Sequence, residues 1–264
     1  MHDRRFRFGV GCSKARSRKE FTELARKIEA LGYSTMFVPD HFVAHDLAPT
    51  IALAHAAAVT EHLRVGTFVL GNDYKHPVVS AREMASLDLL SDGRVELGIG
   101  AGWMTADYEK AGMTLDPPGV RISRLAESIT IMKGLFAEGP FTFDGEHYHV
   151  TDLDGQPKPV QQPVPFLIGG GAPKILGLAA REAQIVGINA NLRSGDGTTH
   201  DGFLRGAHRQ VAHPRRETEA IQGIRHGAAV NGTQRSQERL RIGGLHDQSH
   251  LAKAMPQPVP AAVR

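Results

Sequence analysis

Strand-like and helix-like segments alternate over the first hundred residues, and this constrains the chain more than any single motif. Short apolar runs at 6–11, 33–38, 63–70 and 94–102 are separated by helical patterns at 17–31, 48–62 and 78–90. When each strand returns to the sheet through a helix, the strands run parallel. The rhythm continues with a helix at 120–136, a strand at 165–168, a helix at 173–181 and a strand at 184–189. Six such strands without a reversal favour an eight-fold α/β barrel over an open doubly wound sheet. A dinucleotide-binding sheet would carry a three-glycine fingerprint after its first strand. Here Gly9 and Gly11 are followed by CSKAR, with no third glycine in place.

The ends of these strands are where α/β folds place ligands. The fourth strand, RVELGIGAG, runs into Gly98, Gly100 and Gly102. Glycine leaves the backbone open to close approach and its N–H groups free for anions, although such glycines also serve turns and packing. The second strand ends in Pro39-Asp40-His41. His41 either faces the barrel mouth as a proton-exchanging group or is a strand-end histidine bonded to backbone. The third strand ends in Gly71-Asn72, where an amide offers both a donor and an acceptor to a ring edge or simply makes a turn. His76-Pro77 fixes the start of the next helix. Gly169-Gly170-Gly171 precedes a helix with Lys174 in its first turn, which makes either a phosphate site or a tight strand-to-helix turn.

Residues 102–119 form a long polar connection with Trp103, Asp107, Tyr108 and Glu109, and loops of this length at strand ends are usually functional. Asp107 and Glu109 are acid candidates against the general expectation that loop carboxylates are solvated. FTFDGEHYHV at 141–150 reads as a hairpin around Asp144-Gly145, outside the barrel rhythm. Its His147 and His149 share a face but lack a third ligand, so no metal is assigned.

Composition narrows the setting. Cys12 is the only cysteine, which fits a reducing cytoplasm and excludes an intramolecular disulfide. No apolar run approaches the roughly 20 residues of a membrane span, and the N-terminal stretch does not read as a signal peptide. Residues 1–199 carry 21 Lys+Arg against 23 Asp+Glu, whereas residues 200–264 carry 10 against 5. The basic balance therefore belongs to the last quarter. With one aromatic and no base-stacking pattern there, nucleic-acid recognition is not expected. From residue 200 no apolar run reaches five residues. This segment, 200–264, is read as a disordered or frameshifted tail.

Together FVPDHF, VGTFVLGNDYKHP, LDLLSDGRVELGIGAGW, FDGEHY and PVPFLIGGGAPKILGLAAREAQIVG resemble the luciferase-like flavin and deazaflavin superfamily. Within it they are most similar to the actinobacterial coenzyme F-420-dependent oxidoreductases. The resemblance spans about residues 6–192. It implies a TIM-like (β/α) barrel domain over 1–199 with a hairpin insertion. It also implies a cofactor, F-420 or alternatively FMN, lying across the strand ends, with hydride transfer to or from a small organic substrate; the alternatives are an FMN-dependent luciferase-like monooxygenase or a truncated relative that binds the cofactor without turnover. His41 would stand near the reactive face of the ring. Gly71 and Asn72 would meet the ring through a backbone bulge. Gly100, Gly102, the Gly169-Gly170-Gly171 turn and Lys174 would hold the ribityl-phosphate side. Trp103, Tyr108 and Glu109 are left as substrate contacts. In the family's glucose-6-phosphate dehydrogenase branch an acidic residue follows the fourth-strand glycine turn. Trp103 stands there, so that sugar phosphate is not expected. The family also closes its barrel with two further strands, and strands seven and eight are not recognisable after residue 200. The open edges this leaves favour a homodimer.

Overall fold

The computed structural model describes residues 7–43 and 47–188, together with the backbone of 219–220. Most of the tail expected over 200–264 lies outside the described residues. Six principal strands alternate with helices: β1 (Gly9–Gly11), α1 (Arg18–Ala30), β2 (Thr35–Val38), α2 (Pro49–Ala58), β3 (Arg64–Thr67), β4 (Leu70–Gly71), α3 (Pro77–Leu90) and β5 (Val95–Gly100). They are followed by α4 (Thr105–Ala111), α5 (Pro118–Phe136), the hairpin β6 (Pro140–Asp144) and β7 (His149–Asp154), then β8 (Phe166–Gly170), α6 (Pro173–Glu182) and β9 (Ile185–Ile188). Every strand outside the hairpin pairs in parallel, in the order β1-β2-β3-β5-β8-β9. A two-residue strand, β10 (Glu219–Ala220), extends the sheet beyond β9. That pairing departs from the sequence reading, which expects no strand after residue 200.

The helices start and stop where local chemistry dictates. The Ser17 hydroxyl accepts from the Glu20 N–H at 3.2 Å, while the Glu20 carboxylate reaches back to the N–H of Arg16. His76 caps α3 through Nδ1, and Pro77 occupies the first helical position, where no N–H is needed. The connection over 102–119 is not uniformly a loop: it contains α4, which ends at Gly112 in the left-handed conformation.

Two apolar layers result. The larger lies between the sheet and its helices and includes Met36, Val38, Val95, Leu97, Ile99, Leu53, Met84 and Ile129. The smaller fills the concave side, where Phe37 of β2 clusters with Leu167 of β8 and Ile185 of β9. Strands that are not neighbours meet there, so the sheet curls into a half-barrel. Phe37 occupies space that glycine leaves on both flanking strands. A Cβ on Gly9 would come within 2.5 Å of its ring, and one on Gly66 within 2.6 Å. Below it, the buried Glu96 carboxylate is held by Thr35, Arg7 and Arg64, a polar floor to the concave side.

The third strand is interrupted. Gly66 pairs with Glu96 and Leu70 with Ile99, so one extra residue is carried on the β3–β4 side. This is a bulge, and the Phe68–Val69 peptide within it is cis. The Thr67 hydroxyl donates to the Gly98 carbonyl at 2.6 Å and accepts from the Gly98 N–H at 2.9 Å. One side chain thus satisfies both backbone groups that the bulge would leave unpaired. Thr67→Val keeps the shape and strands both groups in a buried site, a cost of about 1–3 kcal/mol. The expected outcome is a lower denaturant midpoint with an unchanged slope, measured by urea unfolding.

Candidate functional site

The bulge borders a cavity at the C-terminal end of the sheet. This cavity, of about 490 Å³, is lined by Asp40 and His41 after β2, by the bulge and Gly71, by the β5 end from Gly100 to Trp103, by the glycine turn after β8, and by α5 residues including Arg121. Its size lies within the usual range for small-molecule sites. Of the residues singled out in the sequence, His41, Gly71, Gly100, Gly102, Trp103, Gly169, Gly170 and Gly171 line it together. Asn72, Tyr108, Glu109 and Lys174 do not. Asn72 is buried at the start of a 3-10 turn, Asn72–Tyr74, and its Nδ2 has no hydrogen-bond partner among the described residues. Tyr108 is fully buried, donating to Asp73 at 3.0 Å, and Glu109 and Lys174 are exposed.

Gly102 shows why glycine is required at the end of β5. Its φ is +76°, and a Cβ there would lie 2.0 Å from the Tyr108 hydroxyl. Arg121 holds the same corner by donating to the carbonyls of Ala101, Gly102 and Asp116. The two sides of the cavity mouth are then tied together by Asp107 of α4. Its side chain is inaccessible to solvent. Oδ1 accepts from the N–H groups of Phe42 and Val43, each at 3.0 Å. Oδ2 accepts from the Tyr74 hydroxyl at 3.2 Å and lies 2.6 Å from His41 Nδ1. Trp103 stands edge-on to the His41 ring, with centroids 5.7 Å apart.

The two carboxyl groups here are driven in opposite directions. Burial pushes Asp107 up, but the His41 hydrogen bond, the Val43 and Phe42 N–H groups and the His41 charge outweigh it and leave it below its ordinary value. Burial dominates at Asp40 and raises it, against the Gly71 N–H, Lys75 and His41. Asp40 also accepts from the Gly71 N–H at 3.1 Å and so holds the end of the bulge. Burial, with Asp107 next to it, raises the Tyr74 hydroxyl. The expectation of a solvated Asp107 is therefore corrected: short helix α4 buries it. Asp40, Tyr74 and Arg121 are cavity residues that the sequence reading passed over. The Asp40 signal was its place beside His41 at a strand end.

Among the described residues one group brings metal-type ligands together: Glu127, Glu146 and His147. Of the two hairpin histidines only His147 belongs to it, His149 being bonded to Asp144, and Glu127 was not apparent from sequence spacing. Its carboxylate already accepts the N–H groups of Glu146, His147 and Tyr148, so it closes the hairpin turn. No described helix is long and apolar enough to cross a membrane.

The luciferase-like monooxygenase family model matches residues 5–200. The chain belongs to this family. It is 33% identical over 171 residues to the F420-dependent glucose-6-phosphate dehydrogenase of Amycolatopsis mediterranei, covering 62% of this chain and 51% of that one. The half-barrel superposes on the coenzyme F420-dependent tetrahydromethanopterin reductase of Methanopyrus kandleri with a TM-score of 0.70 at 20% identity, over 81% of this chain and 64% of the other. Riboflavin lyase, solved with modified FMN and riboflavin, gives a TM-score of 0.67 at 15% identity over 78% and 58%. At these identities the structures establish the fold. The chain spans about half to two-thirds of the length of the curated relatives it matches.

A group with a lowered folded value contributes stability above its unfolded value, about 3.9 for aspartate, and loses it as pH falls through the lower folded value. The stability gap between the wild type and Asp107→Asn should therefore be widest above pH 5 and shrink as pH falls below about 4. Urea unfolding across pH 3–7 measures it.

Proposed function

We propose that the chain is an oxidoreductase that binds coenzyme F-420 at the C-terminal rim of its half-barrel and passes a hydride between it and a small organic substrate. The glycine-walled cavity beside the β3–β4 bulge, with His41 in its wall, carries this reading. The sequence similarity to an F420-dependent dehydrogenase supports it. The fit to a flat ring system is favourable. Gly71, Gly100 and Gly169 line the cavity with backbone, the space beside them being taken by Tyr74 and Val69, and Phe68 and Val69 add apolar surface. The cofactor, when bound, supplies the carbon that carries the hydride.

The chain's own residues then have separable roles. Gly71 and the bulge would hold the ring, and Gly100, Gly102 and the turn Gly169-Gly170-Gly171 would hold the ribityl-phosphate side. The N-terminus of α6 begins right after that turn, and the exposed Lys174 in its first turn adds positive charge for a phosphate outside the cavity proper. Asn72 does not line the cavity, so the ring contact expected of it has no place here; its buried Nδ2 stays without a partner among the described residues. His41 exchanges a proton with the substrate. Trp103 gives the substrate an aromatic wall where the dehydrogenase branch carries an acid, so an uncharged or apolar substrate suits the mouth better than a sugar phosphate. Tyr108 and Glu109 have no such place, one being locked on Asp73 and the other turned to solvent. The barrel domain ends near residue 199 in this reading, and 200–264 is a separate segment. A homodimer and, with the single cysteine, a cytoplasmic setting complete the reading.

FMN is the second reading, favoured by the shared fold with riboflavin lyase. Titration of the full chain with F-420 and with FMN, followed by fluorescence, tests both. Micromolar F-420 binding with FMN weaker by tenfold or more is expected. Tighter FMN binding would reverse the cofactor assignment, and no binding to either would remove the redox reading. His41→Gln should leave the F-420 dissociation constant within about threefold while turnover falls about 100-fold or more, the usual range for losing a positioned proton carrier.

A further inference from the structure

We infer that Asp107 is a positioning residue that selects the proton arrangement on His41, holding the Nδ1–H form so that Nε2 is the nitrogen that exchanges protons in the cavity. The inference rests on the redox reading of the cavity only for its effect on turnover.

The geometry leaves Asp107 little choice. Its Oδ1 takes two backbone N–H groups, Phe42 and Val43, which belong to the same chain turn as His41. These bonds orient the carboxylate so that Oδ2 faces His41 Nδ1 at 2.6 Å and the Tyr74 hydroxyl at 3.2 Å. A carboxylate accepts only, so Nδ1 must donate. A neutral imidazole with its proton on Nδ1 offers a lone pair at Nε2, and a buried carboxylate balances the positive charge once Nε2 takes a proton. A substrate hydroxyl that loses hydride from its carbon can thus release its proton to Nε2, and in the reverse direction the imidazolium returns it to the carbonyl oxygen. Among the described residues, the charged and titratable groups around the pair include Asp40, Lys75, Tyr74 and Tyr108. Both tyrosine hydroxyls are raised and stay neutral, and Tyr108 is bonded to Asp73. Asp40 is bonded to the Gly71 N–H.

The same geometry makes a sharp forecast for Asp107→Asn. The two backbone N–H groups need an oxygen, so the amide oxygen of the new side chain takes the Oδ1 position. Its NH₂ group then falls where Oδ2 was, facing His41. A donor there turns Nδ1 into an acceptor and moves the imidazole proton to Nε2. The variant is nearly isosteric and keeps both backbone bonds, so the fold is retained while the proton arrangement reverses.

Nitrogen-15 correlation spectra of the labelled full chain without cofactor read this directly, with the His41 signals identified by their loss in His41→Gln. At a pH where the ring is neutral, wild type is expected in the Nδ1–H form and Asp107→Asn in the Nε2–H form. A wild-type ring in the Nε2–H form overturns the inference without any variant. So does a folded Asp107→Asn protein that keeps the Nδ1–H form. With F-420, the variant should bind within about threefold of wild type while turnover drops about 100-fold or more. Wild-type turnover in a binding variant would also overturn it. If the chain binds no F-420, the proposed function fails, and the spectra still decide the role of Asp107.

Discussion

Everything at the C-terminal end of this sheet depends on Thr67 completing the hydrogen bonds that its own strand abandons. A parallel ladder that skips a residue leaves an N–H and a C=O of its neighbour without partners, and burial makes each of them costly. The Thr67 hydroxyl answers both on Gly98. The backbone can therefore step out at Phe68–Val69 and return to pair at Leu70 and Gly71. Glycine at 98 is part of the same solution, since a Cβ there would lie 1.9 Å from the Thr67 carbonyl oxygen. The cavity wall is the by-product of this exchange: the bulge presents Val69 and Gly71 to the space that a straight strand would have filled.

A second constraint joins elements that the sheet alone would leave apart. The turn after β2 carries His41, and α4 lies more than sixty residues later. Asp107 ties them with two backbone bonds and one side-chain bond, and Tyr74 brings the turn after β4 into the same knot. Tyr74 also packs on Phe42 and Tyr108, at 4.4 and 5.6 Å between centroids. A buried carboxylate with four donors is stable because none of its lone-pair directions is left empty, and the same saturation gives it direction as a hydrogen-bond acceptor.

The alternation of strands and helices was legible because period-2 and period-3.6 patterns are set by local geometry. The glycines at the strand ends were legible for the same reason: each answers a need of the immediate backbone. The break inside 63–70 was not, because FVL reads as strand and the Thr67–Gly98 exchange links positions on different strands. Helix α4 was hidden by its length. Seven residues without a side-chain N-cap carry little helical signal, and only Gly112 marked the end. With the helix unseen, Asp107 looked like any loop acid. Lys174 shows the converse limit. Sequence placed it correctly in the first turn of α6, but not on which side of the turn the lysine would lie.

The arrangement also explains how a half-barrel can hold a defined site. His41 follows β2, the bulge belongs to β3 and β4, and Gly100 to Trp103 follow β5. These are contiguous inner strands, flanked by β1 on one side and by β8 and β9 on the other. Each of them is paired on both sides or with its neighbour among the described residues. Among the described residues, Gly187 is the part of β9 that lines the cavity, close to Phe68 of the bulge. The positions that fix the chemistry thus depend on pairings made within residues 35–100 and on one carboxylate at 107. The orientation of His41 is decided by the middle of the sheet and by Asp107.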